Sequence, residues 1–220
     1  MTGSVKAVTL DAYGTLLRND ELLLLPRRIV ADHGLSVSAD HVLRAWLDLY
    51  HEATQSLPFR TLRDIQGQIL TRVLRQFDVT ADATPYVDLF FQMTTSVQLY
   101  PEVLGVLNAL GPVRSAIVSN ADYEHVAAWN FKWPVQYVVI SEAVSAYKPH
   151  PLIFQRALDQ LGLQPHEVVH VGDSEIDDVK GATMAGLRVA WLNRTGRPRR
   201  ADMPPPDFEI RDLTELLALL

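Results

Sequence analysis

Four short polar clusters interrupt apolar surroundings: Asp11 with Thr15, Ser119 with Asn120, Lys148, and Asp173-Ser174 with Asp177 and Asp178. A carboxylate at the mouth of a crevice can serve as nucleophile, metal ligand or both. Asp11 is the candidate nucleophile. Thr15, Ser119 and the N–H groups of the loop after Asp11 would donate hydrogen bonds to an anionic substrate group. Lys148 supplies fixed positive charge, which lowers the pKa of a nearby carboxylate and stabilises transition-state charge. Asp173, aided by Asp177 or Asp178, completes an all-oxygen set suited to Mg2+. Taken singly, each cluster has a plainer role. Ser119-Asn120 would be a turn or cap, Lys148 a surface lysine, and the acids of 173–178 the start of a helix. Their order and their strand contexts join them.

Each cluster must be positioned by a strand or the loop after one. An apolar, β-branched run over Val5–Leu10 precedes Asp11, and Gly14 then turns the chain. Further strands are predicted at 114–120, 135–140, 168–171, 188–192 and 208–210. Helices are predicted between them at 101–110, 123–129, 151–161 (closed by Gly162), 178–185 (followed by Gly186) and 213–220. Strands alternating with helices imply an α/β fold with a parallel sheet covered on both faces. Ligands of such sheets bind beyond the carboxyl ends of the strands, where these clusters fall.

From about residue 20 to 90 the pattern is different. Val42, Ala45, Trp46, Leu49 and Tyr50 form one helical stripe, and Ile65, Ile69, Leu70, Val73 and Leu74 another. Val87, Leu89, Phe90 and Met93 hint at a third. Asp40 and Thr61 are the expected N-caps, and Pro58 separates two helices. We therefore read an α/β core at 1–17 and 95–220, with an inserted helical lobe at 18–94 over the crevice.

The 220 residues, 48% of them hydrophobic, suffice for a sizeable core. The net charge of −6 leaves no electrostatic footprint for nucleic acid or an anionic membrane, and Arg197, Arg199 and Arg200 read as a solvated loop. With no cysteine, disulfides, thiolate nucleophiles and cysteine–zinc sites are excluded. No signal peptide is evident, and Leu22–Leu25 falls far short of the roughly 20 apolar residues that span a bilayer. The expectation is a cytoplasmic protein, monomeric or homodimeric, acting on a small anionic molecule.

The four clusters resemble the signature of the haloacid dehalogenase-like (HAD) hydrolase superfamily. Asp11-Ala12-Tyr13-Gly14-Thr15-Leu16 is similar to its first motif, Val118-Ser119-Asn120 to its second, Tyr147-Lys148-Pro149 to its third, and Gly172-Asp173-Ser174 through Asp178 to its fourth. The helical block lies where subfamily I members insert their cap. The resemblance implies a HAD-like modified Rossmann core with a helical cap, and covalent catalysis through Asp11.

Two activities are implied. Most members are Mg2+-dependent phosphatases whose first motif reads Asp-x-Asp, the second Asp protonating the leaving group and then activating water. Tyr13 holds that place here. The first motif instead resembles that of the 2-haloacid dehalogenases, which displace halide without metal, as does Trp191–Gly196. The fourth motif resembles the phosphatase version. Dehalogenases carry Ser and Asn where this chain has Asp173 and Glu175, and a Tyr where it has Phe154. Their cap arginine has an approximate counterpart in Arg44, one residue out of step, among the cap candidates Tyr50, His51, Arg60 and Arg63.

The candidate catalytic residues are thus Asp11, Tyr13, Thr15, Ser119 and Lys148. Ser119, Asn120 and Arg44 are assigned to substrate, and Asp11, Tyr13, Asp173 and Asp178 to Mg2+. Acids gathered around a single lysine call for a cation, which ranks phosphate monoester hydrolysis first. A phenol with an ordinary pKa of about 10 is a poor base near neutrality, so slow turnover is expected of it. Metal-free dehalogenation of a 2-halo acid is the second reading, and a catalytically weak HAD-fold binding protein the third.

Overall fold

The computed structural model describes residues 5–220; residues 1–4, the start of the stretch read as lacking a signal peptide, lie outside the described residues. Six strands form the sheet: β1 (Ala7–Leu10), β2 (Arg114–Ser119), β3 (Tyr137–Ile140), β4 (Val168–Gly172), β5 (Arg188–Leu192) and β6 (Phe208–Ile210). All pairings are parallel, in the order β3-β2-β1-β4-β5-β6. The chain winds outward from β1 in one direction and then returns to start again at β4. At such a switch point a crevice lies outside the carboxyl ends of the two strands. Asp11 follows β1 and Asp173 follows β4, on either side of the switch. As the central strand, β1 is buried along its whole length, which explains its continuous apolar run.

The helices are α1 (Leu24–His33), α2 (Ala39–Thr54), α3 (Leu62–Gln76), α4 (Thr84–Thr95), α5 (Val103–Ala109), α6 (Tyr123–Ala128), α7 (Ser141–Val144), α8 (Pro151–Leu161) and α9 (Gly181–Met184). Pro at its first position starts α8, and Gly162, left-handed at φ 63°, ends it. Its buried face (Ile153, Phe154, Ala157, Leu158 and Leu161) packs with Ala116, Val118, Val168 and Trp191 of the sheet.

The chain forms two compact units. The α/β unit comprises the residues up to Arg18, Gln98–Asn120 and Asn130–Leu220. The helical unit comprises Asn19–Val97 and Ala121–Trp129. The sequence reading carried 121–129 in the core segment; α6 is grouped here with α1–α4. The Asp122 carboxylate accepts from the N–H groups of Leu62 (3.0 Å) and Arg63 (3.3 Å) at the start of α3, and the His125 ring lies 4.9 Å from that of Phe91. Within this unit Val42, Trp46, Ile65, Ile69, Val73 and Phe91 are buried, and the Trp46 indole donates to Gln66 at 2.8 Å.

Three local expectations change. Ser38, not Asp40, caps α2, its hydroxyl accepting from the His41 N–H at 3.2 Å; Asp40 falls in the first turn. Thr61 caps α3 as expected. The acidic segment forms a π-helical turn over Glu175–Lys180 before α9, instead of one helix from 178. The Asp178 carboxylate folds back to accept from the Ser174 N–H at 2.9 Å, and the wider turn accommodates that reach. The terminal segment Leu213–Leu219 is 3-10 rather than α. Among the described residues, no helix is long and apolar enough to cross a membrane.

Candidate active site

At the carboxyl ends of β1 and β4, Lys148 is 2% exposed and its Nζ lies 2.5 Å from Asp11 Oδ1 and 2.6 Å from Asp178 Oδ1. Asn120 holds this lysine by its peptide. The Lys148 N–H donates to Asn120 Oδ1 at 2.7 Å, and Asn120 Nδ2 donates back to the Lys148 carbonyl at 3.3 Å. The Asn120 side chain, assigned to substrate from sequence, supports the Lys148 peptide in this way. Asp178 is anchored three times over: Oδ1 also lies 3.1 Å from His170 Nε2, and Oδ2 accepts from the Ser174 N–H.

Two glycines make this packing possible. Gly14 has φ +92°, and a Cβ there would collide with the Asp173 carboxylate. The first loop thus lies directly against Asp173, in a conformation other residues rarely adopt. A Cβ on Gly172 would strike the Asp178 carboxyl group. Each spacing seen in the sequence is a close approach in space.

The electrostatics follow from burial. Burial raises the Asp11 pKa to about 6; Lys148 opposes the rise and Asp178 adds to it. Burial, with the charges of Asp11 and Asp178, holds Asp173 well above the usual carboxylate range, and burial carries Asp177 to about 8. Asp178 goes the other way. Burial opposes its charge, but Lys148 and the His170 hydrogen bond bring it down to about 2. Lys148 is itself disfavoured by burial, yet the two carboxylates keep it firmly charged. The structural ion pair is Lys148–Asp178, and the tunable acids are Asp11 and Asp173.

On the first loop and at the end of β2, Asp11 Oδ2, Thr15 Oγ1 and Ser119 Oγ are buried with no hydrogen-bond partner among the described residues. Such atoms are nearly always paired in native proteins. Here they are one carboxylate oxygen and two hydroxyls on the first loop and the end of β2. An anionic substrate beside Asp11 would satisfy the hydroxyls. The first loop is tied from behind by Arg194, which donates to the Thr15 carbonyl at 2.9 Å and pairs with Glu102 at 2.7 Å. Its guanidinium also stacks 3.8 Å over Tyr100.

Carboxylate oxygens of Asp11, Asp173 and Asp178 lie within 4.8 Å of one another. An all-oxygen set suits a hard cation such as Mg2+, and the raised pKa values of Asp11 and Asp173 register the charge an ion would neutralise. The donor set fits, with Asp11 Oδ2 and Asp173 as the available oxygens, since Asp178 is already committed. Tyr13, counted with the metal ligands from sequence, is a half-buried phenol in the first loop. Arg44 is exposed on α2 in the helical unit. Sequence reasoning missed His170 and Thr9, both fully buried. Their signal was a polar residue within each of two apolar strands, but only register shows that they face one another.

A family model described as haloacid dehalogenase-like hydrolase matches residues 5–186. The (S)-2-haloacid dehalogenase 4A of Burkholderia cepacia is 30% identical over 230 residues, covering 100% of this chain and 96% of that protein. The glyceraldehyde 3-phosphate phosphatase of Methanopyrus kandleri is 28% identical over 97% of this chain and 96% of its own. A solved structure described as a dehalogenase superposes with a TM-score of 0.80 at 25% identity, covering 100% of this chain and 99% of that one.

Proposed function

The chain belongs to the haloacid dehalogenase-like hydrolases, and from that premise we propose that it hydrolyses a short 2-halocarboxylate through an ester on Asp11. Lys148 holds Asp11 Oδ1, which leaves Oδ2 to attack the halogen-bearing carbon. The new C–O bond forms as the carbon–halogen bond breaks, and the halide leaves with the bonding pair. Thr15 and Ser119 donate to the substrate carboxylate. Once Asp11 is esterified its charge no longer raises Asp173; as water attacks the Asp11 carbonyl carbon, the Asp173 carboxylate takes the water proton and passes it to the departing 2-oxygen. The 2-hydroxy acid departs and Asp11 is restored.

The observation that carries this reading is Tyr13. A halide leaves without a proton, whereas the phosphatase pattern asks the residue two after the nucleophile to protonate an alkoxide and then to act as a base toward water, and here that residue is a phenol, a poor base near neutrality. The ranking drawn from sequence is thereby reversed. Its premise was that the clustered acids demand a cation. A raised Asp173 can answer that demand by taking up a proton instead. The similar full-length dehalogenases support the same choice.

Phosphate monoester hydrolysis is kept as a second reading on one observation, the convergence of Asp11, Asp173 and Asp178. Mg2+ held by Asp11 and Asp173 would supply charge neutralisation at a transferring phosphoryl group. The two readings separate in one experiment. Halide release from (S)-2-chloropropionate is measured in EDTA, and p-nitrophenyl phosphate hydrolysis with and without Mg2+, each with Asp11→Asn as control. Metal-independent, Asp11-dependent halide release is the expected result. Turnover of the phosphate ester alone, abolished by EDTA, would replace the first reading with the second.

A further inference from the structure

We propose that Thr9 and His170 are a buried positioning pair that orients the Asp178 carboxylate, and through it Lys148, for the reaction at Asp11. The inference rests on Asp11 being the nucleophile and adds two residues that lie inside the strands, behind the reacting groups. In the β1–β4 pairing Thr9 stands opposite His170. Thr9 Oγ1 lies 2.9 Å from His170 Nδ1, and His170 Nε2 lies 3.1 Å from Asp178 Oδ1. Asp178 and Asp11 share the Lys148 ammonium at 2.6 and 2.5 Å. Thr9 and Asp11 are two residues apart along the same run of chain, so their side chains point to the same side. The contacts therefore close a ring: Asp11, Lys148, Asp178, His170, Thr9, and back along the backbone to Asp11.

The chemistry of the ring leaves His170 one role. An ionised Asp178 only accepts hydrogen bonds, so Nε2 must carry the proton and donate it. Nδ1 is then an acceptor and takes the Thr9 O–H. The Asp178 carboxylate selects the tautomer, the Thr9 hydroxyl completes it by donating to Nδ1, and the Nε2–H holds Asp178 Oδ1. That oxygen is the one that also receives Lys148. Phe154, fully buried, meets the His170 ring edge-on at 5.0 Å and 89°, so the ring is held in orientation as well as in protonation. Without the Nε2–H donor, Asp178 would retain Lys148 and Ser174 but lose the contact that sets the angle of Oδ1. Lys148 would then hold Asp11 off line, and displacement of that order can cost about a hundredfold in rate.

The test uses the full chain and has two arms. In the kinetic arm, kcat and KM are measured separately on whichever substrate the wild type turns over. His170→Leu is expected to lower kcat between about tenfold and a hundredfold with KM within about twofold. His170→Gln, whose amide can donate from near the Nε2 position, should recover most of the loss. Thr9→Val should lower kcat and Thr9→Ser restore it. Thermal midpoints identify any variant that fails to fold, in which case the conservative member of each pair decides. Equal loss in His170→Gln and His170→Leu, both folded, would overturn the proposal. In the spectroscopic arm, ring 15N shifts, assigned by the signals that vanish in His170→Gln, report the tautomer at neutral pH. Nε2–H is expected, with Nδ1 perturbed in Thr9→Val; an Nδ1–H tautomer overturns the pair. This arm needs no turnover, so it still decides on Thr9 and His170 should Asp11 prove not to be a nucleophile.

Discussion

The two units bury polar groups in opposite ways. In the helical unit the buried Trp46, Gln66, Asp122 and His125 make contacts between neutral groups, or between a carboxylate and backbone N–H groups. Trp46 donates to Gln66, Asp122 receives two N–H groups of α3, and His125 accepts from the Asp122 N–H at 3.1 Å while its other ring nitrogen lies 3.0 Å from the Thr94 hydroxyl. At the strand ends of the α/β unit, Asp11, Asp173, Asp177 and Asp178 gather around the buried Lys148, and burial leaves three of the four acids above their ordinary range. The first arrangement stabilises a fold. The second opposes it and persists because the sheet around it imposes the geometry, as expected where strain serves chemistry.

The contrast can be broken most sharply at Asp11. Asp11→Asn should lower turnover by about a thousandfold or more, as removal of a nucleophile does, while the thermal midpoint holds or rises because a buried charge has gone. An accompanying collapse of the fold would mean that Asp11 is structural after all. Lys148→Met tests the other partner. It leaves Asp11 and Asp178 buried without their cation, and a loss of about 3–5 kcal/mol in denaturant unfolding is expected. A near-neutral result would show the ion pair to be dispensable.

Asp173→Asn removes a carboxyl whose ionisation the site opposes. We expect a gain of about 0.5–2 kcal/mol, together with accumulation of the Asp11 ester, visible by intact-protein mass spectrometry during turnover. In the helical unit, Trp46→Phe leaves Gln66 without its donor and should cost about 1 kcal/mol with no change in kcat. Equal stability effects at Asp173 and Trp46, in size and sign, would erase the distinction between the two regions.

Acid titration sharpens the comparison on one axis. Asp11 must be ionised to attack, so kcat/KM should fall about tenfold per unit below pH 6, well above the limb near 4 of an ordinary aspartate. His125 acts on stability instead. Burial lowers its pKa to about 4 in the fold, against about 6.5 unfolded. The unfolded chain therefore binds more protons in between. Its contribution is fully present above pH 6.5 and is lost as the pH falls towards 4. Activity at pH 5 should already be down about tenfold in a protein that is still folded, measured by kcat/KM and circular dichroism on the same samples.

Much of the fold was legible in the sequence because its signals are local. The strand runs at 188–192 and 208–210 and the helix at 151–161 match β5, β6 and α8 residue for residue, each bounded by turn residues or a glycine. The polar clusters at strand ends were legible for the same reason, since a parallel strand delivers its next residues to the crevice. The acidic turn was misread because nothing within the segment shows that Asp178 reaches Lys148 and His170 outside it. The pairing of Asn120 with the peptide of Lys148, 28 residues away, was not legible because nothing in Ser-Asn points to it.

By itself, then, the sequence determined the parallel α/β core, the helical segment, the polar residues that gather at the strand ends, and the family to which these motifs belong. Only the tertiary structure decided which carboxylate the lysine holds fast and which remain free to titrate, and that Thr9 and His170, 161 residues apart, stand behind them. The physical reason is one of range. Hydrophobic periodicity and turn chemistry act over a few residues, whereas the state of a buried charge depends on every group that strand register brings within a few ångströms.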